Sequence, residues 1–182
     1  SQFLYFFLVD DDELDEKTTA DDKEEEEEEE QEESTKSDDI MSNILLLHAF
    51  DLLGEDKDPA KIEEAIKCFK VAIEKGNSNA MYNYAQLLLD GNIIPVNIEE
   101  AIKYYKMAID KCNSDAMYHY ALLFLNGDKV PVNIEEAIKY FKMAIEGGNS
   151  DAMFHYAAFL FNGDVIPPNI EEAIKYFIMA SD

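Results

Sequence analysis

Two histidines, His119 and His155, each follow an aspartate by four residues, Asp115 and Asp151. Residues i and i+4 share one face of a helix, so each pair offers an oxygen and a ring nitrogen to a cation. The same places one period upstream hold Asn79 and Asn83, which breaks the constellation. Stacked helices lie about 8–10 Å apart, so closing one four-ligand site from two pairs takes favourable rotamers. An acid favoured in the first helical turn, with an exposed histidine after it, explains the pattern better than a metal. His48 falls at the Tyr84 position and reads as a partly buried core histidine.

The remaining chemistry-bearing residues also read as structural. The acid pairs Glu99–Glu100, Glu135–Glu136 and Glu171–Glu172 fall in the first turn of a helix, where capping and the helix dipole favour carboxylates. Cys68 stands where Tyr104, Tyr140 and Tyr176 stand, and Cys112 where Gly76 and Gly148 stand, so the two form no disulfide framework. No nucleophile stands beside a base, no glycine-rich phosphate loop follows a strand, and neither HExxH nor CxxC occurs. The sequence predicts a non-catalytic chain with no metal and no cofactor.

What positions these residues is an internal repeat. NSNAMYNYA at 77 returns as NSDAMYHYA at 113 and NSDAMFHYA at 149; NIEEAIKYYKMAI at 97 returns at 133 and 169. A more diverged copy carries KIEEAIKCFKVAI at 61. The period is 36 residues with no insertion or deletion. Units of that size cannot bury their own apolar face, and stacking supplies the core. The expectation is an all-α solenoid, an alpha-alpha superhelix of four helix–turn–helix repeats over 41–182, divided 41–76, 77–112, 113–148 and 149–182.

Within each repeat, Asn77, Asn113 and Asn149 cap a first helix, A, and Asn97, Asn133 and Asn169 cap a second, B. Glu100, three residues past Asn97, reaches back to the Asn97 backbone amide in this reading, with Glu136 and Glu172 doing the same. Lys61 gives the first copy a poorer cap. Gly91, Gly127 and Gly163 end helix A and Gly76 and Gly148 end helix B, so Cys112 should cost about 1 kcal/mol if its backbone is left-handed. Helix B is amphipathic, whereas helix A is apolar nearly all round and must be covered on several sides.

Charge divides the chain. The total is −25, with fifteen lysines and no arginine. Residues 1–39 hold nineteen acids against three lysines, including the run Glu24–Glu30. Such blocks repel and stay solvated, so 1–40 is expected to be an N-terminal remnant plus a disordered acidic segment, open to a basic partner. Without a positive footprint, nucleic acid is not expected as a partner. FLYFFLV at 3–9 is too short to cross a bilayer and lacks the flanks of a signal peptide, so no membrane partner is expected. Two cysteines and no N-x-S/T sequon favour the cytoplasm, or the nucleus, over a secretory setting.

The pattern resembles the Sel1-like repeat, a relative of the tetratricopeptide repeat. In the second repeat Ala80, Tyr84, Ala85, Leu88 and Gly91, then Ile94, Asn97, Ala101, Tyr104, Tyr105 and Ala108, occupy its pattern positions. Ala85, Leu88 and Tyr104 replace a glycine, a tyrosine and a tryptophan. The resemblance implies a right-handed superhelix acting as an adaptor that assembles protein complexes. Relatives serve in ubiquitin ligation and as arrays attached to kinase domains, so a regulatory segment of a larger signalling enzyme is the alternative function.

Transferring tetratricopeptide logic puts one edge of helix A on the concave, partner-binding face. Leu46, Tyr82, Tyr118 and Phe154 form one ladder, Phe50, Gln86, Leu122 and Ala158 a second, and Leu53, Leu89, Leu125 and Phe161 a third. An apolar groove of this kind could hold a helix or an extended peptide, and tight curvature would instead bury the same side chains as core. The expected contacts are Tyr82, Gln86, Leu89, Tyr118, Leu122, Leu125, Phe154 and Phe161. Ile178, which replaces the lysines at 70, 106 and 142, makes the last helix B a further surface expected to pack on something.

Overall fold

A computed structural model describes residues 34–54 and 58–181. The expectations for the apolar run at 3–9 and the acidic run at 24–30 lie outside these residues. The described residues divide into two units at the boundary between 41 and 42. In the first, residues 34–41 are helical and exposed. The rest of the segment expected to be disordered lies outside the described residues.

The second unit contains eight helices and no strand among its described residues. They are α1 (42–52), α2 (Pro59–Glu74), α3 (Ser78–Asp90), α4 (Ile98–Asp110), α5 (Ser114–Asn126), α6 (Ile134–Glu146), α7 (Ser150–Asn162) and α8 (Ile170–Met179). Odd-numbered helices are the A helices and even-numbered the B helices. In the last three pairs each A packs most extensively on its own B, and each B then meets the next A.

Alanines set the helix spacing. Ala80, Ala85, Ala101 and Ala108 are fully buried, as are their counterparts Ala116, Ala121, Ala137, Ala144, Ala152, Ala157 and Ala173. The largest buried side chains, Phe69, Tyr105 and Phe141, stand at one position of successive B helices. Tyr105 touches Tyr82 of its own repeat and Tyr120 of the next, with ring centroids 6.4 and 5.7 Å apart. One core runs from α1 into α5 and another from α5 into α8. Helix α5 sends Ala116, Tyr120 and Leu123 into the first and Met117, Tyr118 and Ala121 into the second. A helix with core on two sides has to be apolar nearly all round, which is the physical reason for that pattern.

Two backbone devices fix the repeat. The amide of Asn97 donates to the Leu88 carbonyl at 2.9 Å, and Asn133 and Asn169 bond Phe124 and Leu160 at 3.0 and 2.8 Å. This closes each A–B loop and corrects the expected capping box, because that amide is already engaged. The Asn97 side chain instead accepts from the Glu100 amide and donates to the Glu100 carboxylate at 2.9 Å. At the third repeat Glu136 pairs with Lys139 at 3.3 Å. Between repeats, the backbone turns left-handed at Gly76, Cys112 and Gly148, with φ of 85°, 58° and 81°. The next asparagine amide then bonds a carbonyl five residues back, as Asn113 does to Ala108 at 3.1 Å.

The first repeat is also better capped than its sequence implies. Helix α2 begins at Pro59, with Asp58 accepting from the Ala60 amide at 2.9 Å, so Lys61 lies inside the helix rather than at its cap. Proline at the first helical position needs no amide partner and has φ set for the helix.

Candidate functional site

The eight expected contact residues occupy the A helices α3, α5 and α7, and they differ widely in exposure. Phe154 and Phe161 are 54% and 56% exposed, whereas Tyr118 is 8% exposed. Tyr82, Gln86, Leu89, Leu122 and Leu125 are half-buried. In the same ladders Leu46 is buried, Phe50 is 46% exposed, and Leu53 and Ala158 are half-buried. The ladders are therefore part groove and part core, and they open most at Phe50, Phe154 and Phe161.

Gln86 is held on both sides. Its amide nitrogen donates to the Tyr82 hydroxyl at 3.2 Å, and its carbonyl oxygen accepts from the Tyr105 hydroxyl at 2.8 Å. Burial pushes the ionisation of Tyr105, Tyr82 and Tyr118 upward, so these rings stay neutral hydrogen-bonding groups at ordinary pH.

The histidines depart from both sequence readings. His48 is exposed, its Nε2 4.0 Å from Glu64 Oε1, rather than part of the core. His119 and His155 are half-buried rather than exposed. Each packs on the ladder tyrosine of the preceding repeat: His119 on Tyr82 at 5.3 Å and His155 on Tyr118 at 5.5 Å. His155 Nδ1 lies 3.2 Å from the Tyr118 hydroxyl and 3.0 Å from the Asp151 carbonyl. Burial holds His119 below the usual histidine range, against the pull of Asp115 and Asp151. Asp115 is engaged elsewhere, accepting from the Asn149 side chain at 2.7 Å. Among the described residues no three of histidine, cysteine, aspartate and glutamate gather as a metal site.

Sequence reading missed a ladder that joins the repeats. The cap asparagines of α3, α5 and α7 also donate to the A helix before them. Asn77 bonds Ser42 Oγ at 3.0 Å and Asn43 Oδ1 at 2.9 Å; Asn113 bonds Ser78 Oγ at 3.2 Å and Asn79 Oδ1 at 2.8 Å. The signal was present as a polar residue two places past each cap. It was indistinguishable from first-turn capping chemistry until the helices were stacked.

Stacked helix pairs, closed by recurring loops and stitched by asparagines, define the class as a helical-repeat solenoid. The sequence matches the Sel1 repeat over residues 49–77, 78–111, 114–149 and 150–182, more than half of the chain. The chain belongs to the Sel1 repeat family. Among solved structures it is similar to a Sel1 repeat protein from Oxalobacter formigenes, with a TM-score of 0.70 and 20% identity over 81% of this chain and 59% of that one. It is also similar to a protective antigen of uropathogenic Escherichia coli with an SLR fold, with a TM-score of 0.67 and 21% identity over 84% of this chain and 32% of that one. The chain therefore spans less than two thirds of the length of either. A search of the curated proteins gives no match. Among the described residues no helix is long and apolar enough to cross a membrane.

Proposed function

We infer that this chain is a non-catalytic adaptor that holds a segment of a partner protein along the ladder face of its A helices. Sel1 repeat proteins generally mediate protein–protein interactions. The observation that carries the reading is the exposure of Phe50, Phe154 and Phe161 on one edge of the A helices, beside half-buried Tyr82, Leu89, Leu122 and Leu125. Large aromatic side chains left in water beside apolar neighbours are the usual anchors of a protein interface. Gln86 and Tyr118 support this face from behind, since both are committed to hydrogen bonds within it. The free cysteines, Cys68 buried and Cys112 exposed, fit a reducing, cytoplasmic setting.

The test is a crosslinked affinity capture, followed by titration of the purified partner against wild type and a Phe154→Ala/Phe161→Ala variant. Both side chains are more than half exposed, so the variant should stay folded, losing the Phe154–Phe177 ring contact, while losing most of its affinity. Undiminished affinity would remove the ladder face from consideration.

A further inference from the structure

The three junctions between A helices are not equivalent. Beside α1 and α3 the structure opens a cleft of about 490 Å³, lined by Phe50, Leu53, Phe69, Leu87 and Ile93, with Asn83, Gln86 and Asp90 as its polar groups; one Asp90 oxygen accepts from the Asn92 side chain at 2.8 Å. That volume lies in the range of sites that enclose a small ligand or a few side chains. Phe50 is anchored edge-on against Phe69, with centroids 5.7 Å apart, yet remains 46% exposed.

Two substitutions within the repeat, with an apolar loop residue beside them, set this junction apart. Asn83 stands where His119 and His155 stand, and those rings lie against Tyr82 and Tyr118 at the later junctions. The Asn83 amide instead folds back to the Asn79 carbonyl at 2.8 Å. Ile93 stands where the third repeat has Lys129, and Asp90 stands where the later repeats have Asn126 and Asn162. The fourth repeat has Val165 at the Ile93 place, so the first junction is the one that combines the smaller side chain and an acid with an apolar loop residue.

Charge points to the occupant. Helices α1, α3, α5 and α7 contain Asp51, Asp90, Asp115 and Asp151 and no lysine or arginine; their basic groups are the three histidines alone. The lysines of the array lie on the B helices and in loops. A partner crossing the A-helix face meets apolar surface and acids.

We propose that the α1–α3 cleft binds a cationic segment of a partner protein, seating an apolar side chain between Phe50, Leu53 and Ile93 while a neighbouring lysine or arginine pairs with Asp90. This rests on the adaptor reading and gives that surface its partner chemistry. Desolvation of the apolar anchor supplies affinity, and the charge pairing selects the cationic partner over an acidic one.

The test uses the full chain and a fluorescein-labelled Lys-Leu-Lys-Phe-Lys-Leu-Lys peptide, with a Glu-Leu-Glu-Phe-Glu-Leu-Glu peptide beside it, read by anisotropy. Variants borrow residues that the fold already accepts elsewhere: Asn83→His, Ile93→Lys and Asp90→Asn. The lysine peptide should bind and the glutamate peptide should not. Ile93→Lys should weaken binding about tenfold at low salt, and Asp90→Asn about threefold, with both effects shrinking as salt rises. Asn83→His, which fills the cleft, should weaken binding at any salt. Thermal melts confirm that each variant is folded. Binding that the three variants leave untouched would assign the peptide to the acidic N-terminal segment and overturn the proposal. Equal binding of the glutamate peptide would overturn it as well. Loss of the natural partner in Phe154→Ala/Phe161→Ala with no effect of the cleft variants would leave the adaptor reading standing and remove this one.

Discussion

Tyr105 donates its hydroxyl to Gln86 at 2.8 Å, and the two residues match in kind at every repeat. Nineteen residues separate them, and the same step joins Phe50 to Phe69, Leu122 to Phe141 and Ala158 to Phe177. Where the A-helix residue is polar, the B-helix ring carries a hydroxyl; where it is apolar, the ring is phenylalanine. A partly buried amide oxygen without a donor costs about 1–3 kcal/mol, so the pair has to be polar or apolar together. Tyr105→Phe should therefore destabilise the array by about 1–2 kcal/mol in urea titration. The double variant Tyr105→Phe/Gln86→Leu should recover most of that loss. Additive costs in the double-mutant cycle would show that the bond contributes nothing.

The asparagine stitches make a charge-sensitive prediction. Asn113 faces the Asn79 amide, whereas Asn149 faces the Asp115 carboxylate. Aspartate would preserve the cap at either position. Asn113→Asp should be close to neutral, because the Asn79 amide can turn to donate. Asn149→Asp sets two carboxylates against each other and should lose about 1–2 kcal/mol, less at high salt. Similar melting temperatures for the two variants would show that the stitch is not formed.

Cys112 is the only described non-glycine residue with positive φ, at 58°. Cys112→Gly should raise stability by about 1 kcal/mol. Gly148→Ala, the reverse change with nothing within 4 Å of the added carbon, should lower it by about as much. Gly91→Ala should cost more, since its added carbon would lie 2.6 Å from Val96 Cγ2 in addition to the same strain. Urea midpoints rank the three, and equal costs for Gly91 and Gly148 would show that the Val96 contact relaxes.

His119 sets a pH dependence of known sign. Burial lowers its folded pKa below the ordinary 6.5, so the neutral ring is the stabilising form. Its contribution is complete above that value and is lost as pH falls through it. Melting temperature should drop from about pH 7 to about pH 5. In His119→Phe, which keeps a ring against Tyr82, the drop should be smaller. An identical acid profile in that variant would assign the effect to other groups.

The sequence by itself determined the local backbone devices that recur every 36 residues. The helix pairs, the asparagine caps, the left-handed glycines, the left-handed Cys112 and the small residues at helix crossings are local backbone chemistry, legible because the copies align in register. Tertiary structure decided what depends on the angle between stacked helices. It put His48 in solvent and tucked His119 and His155 against the preceding repeat's tyrosines. It turned the Asn97 amide to Leu88 and the asparagine side chains to the previous A helix. It also decided which ladder residues face water, because a one-dimensional period gives a residue's place on its own helix but not how much of that face the neighbour covers. Phe154 and Tyr118 occupy the same place in the repeat; one is 54% exposed and the other 8%, and the difference is the helix packed beside each.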